Sequence, residues 1–469
     1  MPIDDFHPLS IWDKAMMKNL RLRFIGVTLA LVLIGVLVTS AQEWQQFRGP
    51  GARGVSDNPK LPLTWDLEAN KNIQWMVPTV GRGWSSPVVT DGKIFYTAVA
   101  NEGETEAAKK GLYFGGDRNR PPTGVHHWNV VCRDLKTGKQ IWVREVHKGN
   151  PTAPVHIKNS FASSTPVTDG KYLYVSFGHQ GTYCFDLAGE LIWSHDGVAA
   201  KMRNDWGTAA SPVLHGDSLI IVDDNDQQSK LQMLDKTTGN LIWDVKRDEN
   251  SNWSTPFVWE NSLRTEIIVP GTGANRAYDL QGKLLYQFSG NSSITIATAY
   301  AENDLLYVSS GYVLDARKPL FAIRPGAKGD ITLKADQTSN DHIVWCQKNA
   351  APYNPSTLLY QGRIYVLYDR GFFACFDART GKEIYSRQRI NGGRAFTSSP
   401  WAYRGHVFCL NEDGETFVFK AGDQYELVGR NRLGVEEMAM ATPALAGDQL
   451  LVRTGDYLYS IGLSSIEQK

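Results

Sequence analysis

Five stretches of this chain gather cations, amides, carboxylates and aromatic rings a few residues ahead of a proline. They are Lys158-Asn159-Ser160-Phe161, Arg203-Asn204-Asp205-Trp206, Arg247 through Trp253, Arg394-Ala395-Phe396 and Glu436-Glu437-Met438. Side chains of these types recognise a ligand by hydrogen bonding and stacking, whereas acyl transfer needs a nucleophile with its own base. Lys158, Asn159, Trp206, Arg247, Trp253 and Arg394 are therefore candidate binding residues if the fold brings them to one place; otherwise they satisfy one another. Asp223-Asp224-Asn225-Asp226 groups oxygen donors as a calcium loop would, but without its spacing or its terminal bidentate Glu, so a solvated hairpin tip is expected there. The 10 His residues form no His-Glu-x-x-His or Cys-x-x-Cys-His pattern. A Gly-x-Ser-x-Gly elbow and a phosphate loop are also missing. No catalytic residue and no metal ligand is assigned.

What positions these stretches is a repeat. A Gly followed four residues later by an aromatic recurs at Gly138/Trp142, Gly189/Trp193, Gly239/Trp243, Gly282/Tyr286 and Gly381/Tyr385. An Asp lies three or four residues before each Gly: Asp134, Asp186, Asp235, Asp279 and Asp377. Each phrase reads as strand, tight turn, strand, with the Gly supplying positive φ and the Asp bonding local amides. Burying the aromatic contributes roughly 2–3 kcal/mol, so these rings are structural anchors before they are anything else.

A second phrase alternates with the first: a hydroxyl residue, usually followed by Pro, and then an apolar strand. Its positions are Pro87, Pro166, Pro212, Pro256, Ala299, Thr357, Pro400 and Pro443. Closing strands number eight as well, at Trp75, Trp142, Trp193, Trp243, Tyr286, Trp345, Tyr385 and Leu427. A period of roughly 40–50 residues signals an array of one supersecondary unit. The first closing strand precedes the first opening, and the last opening lacks a closing strand after it. An N-terminal strand that completes the C-terminal blade closes such a ring and removes its edges. The expectation is an all-β, eight-bladed β-propeller of four-stranded antiparallel blades. Connections ahead of each opening then converge on one face, around the channel. An insertion at about 101–130 breaks the first blade and serves either as a loop packed across a neighbour or as a binding lid.

Composition is that of a globular protein, with 469 residues, 42% hydrophobic, 21% charged and a formal net charge of +0, so neither nucleic acid nor an anionic membrane is favoured as partner. Phe24 to Val38 is an apolar run between basic residues and Thr39-Ser40-Ala41, the pattern of a secretory signal with cleavage after Ala41. Translation from Met16 or Met17 would make that signal an ordinary one; an uncleaved anchor, giving membrane contact only through this segment, is the alternative. Residues 1–41 are thus expected to be a signal peptide and 42–469 one propeller, exported to the periplasm or outside the cell. Of the 5 Cys, Cys132, Cys184 and Cys375 share one repeat position with Met233 and Ala277, a small packing site, and no disulfide framework is expected.

The phrases Asp134 to Trp142, Asp235 to Trp243 and Asp377 to Tyr385 resemble pyrroloquinoline-quinone-type (PQQ-like) propeller repeats. That family includes the eight-bladed quinoprotein alcohol dehydrogenases and the propeller subunit of the outer-membrane β-barrel assembly machinery. From Trp44-Gln-Gln-Phe-Arg-Gly-Pro50 onward the chain looks like exported single-propeller proteins of this type. The resemblance implies that Trp142, Trp193, Trp243, Tyr286 and Tyr385 dock blade against blade. It does not carry over catalysis: the adjacent Cys pair of the dehydrogenases is missing, and their calcium set cannot be placed. The reading favoured is a non-catalytic binding or scaffold propeller for a protein, peptide or envelope polymer, with no cofactor. A PQQ- and calcium-dependent dehydrogenase, with Trp206 or Trp253 under the quinone, and a carbohydrate or small-ligand binder are the alternatives.

Overall fold

The computed structural model describes residues 43–103, 108–112, 120–434 and 438–463, within a compact unit Gln42–Lys469. The expected signal segment, Glu436, Glu437 and parts of the insertion (104–107 and 113–119) lie outside the described residues. Among the described residues no helix is long and apolar enough to cross a membrane.

Eight separate antiparallel sheets follow one another along the chain and form a ring. Blade 1 consists of Val88–Thr90, Lys93–Asn101, His126–Asp134 and Gln140–Gly149. The inner strands of blades 2 to 8 begin at Val167, Val213, Phe257, Tyr300, Leu358, Trp401 and Ala444, each one residue after its predicted opening position. Blade 8 is completed by Ile73–Pro78, which pairs antiparallel with Tyr457–Ile461 and closes the ring as expected.

The repeat Gly does two jobs. Gly239 has φ 73°, and a Cβ there would lie 2.6 Å from the Trp193 ring of the preceding blade. The same turn accepts the indole hydrogen: Trp193 Nε1 donates to Lys236 O at 2.9 Å. Trp75, Trp142, Trp243 and Trp345 likewise donate to Leu135, Leu187, Leu280 and Ala378, each in the following blade. The repeat Asp ties the turn, as where Asp134 Oδ1 accepts the Thr137 amide at 2.7 Å. Across the sheet from each ring sits the small residue noted in the sequence: Cys132 pairs with Trp142, Cys184 with Trp193 and Cys375 with Tyr385. All five Cys are buried and free.

Two departures from eight plain blades stand out, one at the outer edge and one at the channel. In blade 4 the outer strand Leu284–Phe288 gains a parallel partner, Gly329–Asp330, from an insertion in blade 5. Residues 44–56 form a strap across the channel: Trp44 bridges to Val89 of blade 1, Gln45 O accepts the Thr168 amide of blade 2, and Ser56 donates to Ala402 O of blade 7. Arg48 of the strap is fully buried over the Tyr300 ring and donates to Thr357 O at 2.8 Å. Burial lowers its pKa to about 10.

The expected solvated tip at Asp223–Asp226 is not one. Asp224 is 4% exposed and receives two hydrogen bonds from Arg247, at 2.7 and 3.0 Å, and one from Asn252 at 2.9 Å. Burial alone would lower the Arg247 pKa; Asp224 instead holds the guanidinium protonated, above its ordinary value.

Candidate functional site

Each inner strand is preceded by a short extended approach, and alternate residues along an extended chain face opposite ways. One residue before the opening position the side chain is always Ser or Thr, and these hydroxyls link blade to blade. The Ser86 amide donates to Thr165 Oγ1 at 2.9 Å, Thr165 to Ser211 Oγ at 2.9 Å and Ser211 to Thr255 Oγ1 at 3.1 Å. Thr298 donates to Ser356 Oγ at 3.0 Å, Ser356 to Ser399 Oγ at 2.9 Å and Ser399 to Thr442 Oγ1 at 3.0 Å. These links form a hydroxyl belt over six of the eight blade junctions, and they account for most of the Ser/Thr of the second phrase.

Three residues before each opening position the side chain changes from blade to blade. Trp84, Ser163, Ala209, Trp253, Ile296, Asn354, Thr397 and Met440 occupy this place in blades 1 to 8, and every one lines the same cavity of ≈ 390 Å³. Belt hydroxyls, among them Ser211, Ser399 and Thr442, lie along it, with Phe47 of the strap. Phe47 also borders a second cavity of ≈ 330 Å³ among the inner strands of blades 3 and 4, so its ring stands between the two. The upper walls are aromatic: Trp206 and Trp253 have centroids 5.7 Å apart, and Tyr312 and Tyr353 meet edge to face at 5.1 Å.

Of the six binding candidates, four border this cavity. Lys158 Nζ is neutralised by Glu412 Oε1 at 2.6 Å and donates to Gly111 O at 2.9 Å. Glu412 also accepts from Thr397 Oγ1 at 2.6 Å and the Gly111 amide at 2.7 Å. Asn159 spends its amide on Trp206 O and Thr208 O and accepts from Ser163 Oγ. Trp253 is 7% exposed and fixed by a 2.7 Å bond from Nε1 to Gly207 O. Trp206 presents its ring beside it. Arg247 is not at the cavity; it belongs to the buried pair with Asp224. Arg394 also stands outside the lining, exposed and 3.3 Å from Asp413.

The insertion reaches the mouth. Gly111 and Leu112 line the cavity, and Lys110 Nζ lies 2.9 Å from Asp413 of blade 7. Lys110 and Arg394 hold the Asp413 carboxyl below its ordinary range against the opposing effect of its partial burial. Sequence reasoning missed Trp84, Tyr312, Tyr353 and Phe47. Trp84 could have been found by reading the third residue before each opening position.

The donor set does not fit a calcium–quinone centre. Among the described residues the lining contains no Asp or Glu, and the nearby Glu412 is already paired with Lys158 and accepts from Thr397 and the Gly111 amide.

Residues 104–245 match the family model described as outer membrane protein assembly factor BamB. No curated protein sequence matches the chain. Among solved structures, quinohemoprotein alcohol dehydrogenase from Comamonas testosteroni is similar with TM-score 0.56 and 12% identity, over 91% of this chain and 81% of that one. Quinohemoprotein alcohol dehydrogenase ADHIIG from Pseudomonas putida HK5 is similar with TM-score 0.54 and 12% identity, over 90% and 81%. At such identities the likeness is one of fold. The PQQ-like resemblance read from the repeat and the eight-bladed architecture therefore stand together.

Proposed function

We propose that this protein is an exported, non-catalytic propeller that binds a partner or polymer chain end in the channel mouth. The observation carrying this reading is the contrast at the approaches: a constant Ser/Thr one residue before each opening, and eight varied side chains at the third residue before it, all facing one cavity. The similarity of 104–245 to an assembly-factor model supports a binding role, and the poor fit of the lining to calcium weighs against the dehydrogenase reading.

Titrating the purified protein with pyrroloquinoline quinone and calcium, while following Trp fluorescence and dye-linked alcohol oxidation, separates the two. The expected result is no saturable quenching and no turnover. Saturation at micromolar quinone with turnover would replace this proposal with the dehydrogenase. Export predicts a mature protein beginning at Gln42, read by mass spectrometry of material from the native host; an intact residue 1–41 segment in the membrane fraction would show a retained anchor instead.

A further inference from the structure

The mouth has a chemistry specific enough to name a ligand class. Ser211, Thr255, Ser356, Ser399 and Thr442 line the cavity and are 2–7% exposed. Each hydroxyl oxygen already accepts an amide hydrogen from the neighbouring blade. Among the described residues none donates to a protein acceptor, so five O–H hydrogens remain for whatever fills the cavity. An apolar occupant would leave buried donors unpaired, which is costly. A peptide would present its own N–H donors to them as often as carbonyls.

Charge narrows the choice further. Lys158 is cancelled by Glu412, and Arg370 is at the exposed rim. Apart from His156, whose ring packs on Trp206, the rest of the described lining carries no side chain charged at neutral pH, and it is rich in donors. Its walls are the indoles of Trp206 and Trp253 and the phenol rings of Tyr312 and Tyr353. Aromatic faces carry negative potential and favour contact with polarised C–H groups.

We propose that the cavity receives a neutral sugar ring, free or at the end of a glycan, with its C–H face on the aromatic wall and its oxygens accepting from the hydroxyl belt. This inference rests on the mouth being the ligand site. The volume of ≈ 390 Å³ lies within the usual range for small-ligand pockets.

The test is calorimetric titration of the purified full protein with glucose, N-acetylglucosamine, cellobiose, sodium glucuronate and trialanine. At least one neutral sugar should bind with Kd of about 1 mM or tighter. Tyr353→Leu, which removes an aromatic wall, should weaken it about tenfold or more, and Tyr353→Phe, which keeps the ring, should stay within about twofold. Glucuronate or trialanine binding more tightly than every neutral sugar would overturn the assignment, as would no binding by any probe. If trialanine binds and Tyr353→Leu abolishes it, the sugar inference falls while the mouth stands. If a neutral sugar binds equally well to both variants and to Trp84→Ala, the mouth itself is the wrong site.

Discussion

The rim of the ring and its mouth are built from the same repeat and obey opposite rules. At the rim, Trp142, Trp193 and Trp243 each donate to the following blade's turn, and Gly189, Gly239 and Gly282 leave the space for their rings. At the mouth, the third residue before each opening is Trp, Ser, Ala, Trp, Ile, Asn, Thr and Met in turn. One recurring indole-to-turn bond at five of the junctions where blades meet blades, and varied chemistry where they meet the cavity, separates the residues that hold the ring from those that can discriminate a ligand.

The sharpest way to break that contrast is Trp193→Ala. Loss of a ring docked on Gly239 should cost roughly 3–5 kcal/mol in guanidinium unfolding while leaving ligand affinity of the folded protein unchanged. A parallel loss of affinity would mean that rim and mouth are coupled. Asp224→Asn, in a sequence that reads as a solvated tip, should cost about 3 kcal/mol because it leaves Arg247 buried beside a neutral partner. A loss below about 1 kcal/mol would show that Arg247 finds another partner.

A finer test compares two positions of one approach. Thr442→Val removes the belt acceptor of the Ser399 amide and should cost about 1–3 kcal/mol, whereas Met440→Ala, two residues earlier and only half-buried, should cost less and alter binding instead. The smallest effect is on pH dependence. Burial lowers the imidazole pKa of His126 and of His179 below the usual 6.5. The unfolded chain then binds more protons than the native one as pH falls below about 6.5, so their contribution is complete above that value and is lost on acidification towards the lowered pKa. Urea midpoints between pH 7 and pH 5 should therefore fall less in His126→Gln than in the parent.

How much of this was legible depended on repetition. The docking aromatics, the closing strand and the packing role of Cys132, Cys184 and Cys375 were readable because each is one instance of a pattern. Trp206 and Trp253 were readable because a connection ahead of an inner strand must reach the mouth. Arg247 sits in such a connection too, but its partner Asp224 is 23 residues away in the chain, and only the packed blade brings the two together. Tyr312 and Arg370 lie in connections between the second and third strands of their blades, which carry no phrase to mark them. Phe47 lies in the strap, whose path across the channel no periodicity announces.

The docking at the rim has a direction: each indole points forward, to the turn of the blade that follows it. A unit copied in frame therefore brings both its own plug and the socket for the plug before it, and no new interface has to be invented. Duplicating or deleting a blade between indole junctions, such as those of Trp142, Trp193 and Trp243, leaves the new junction chemically alike, whereas Tyr286, Tyr385 and Leu427 close their blades without that bond. Lineages of such rings are then free to change size by recombination, while the mouth, which has no such symmetry, must be rewritten residue by residue each time.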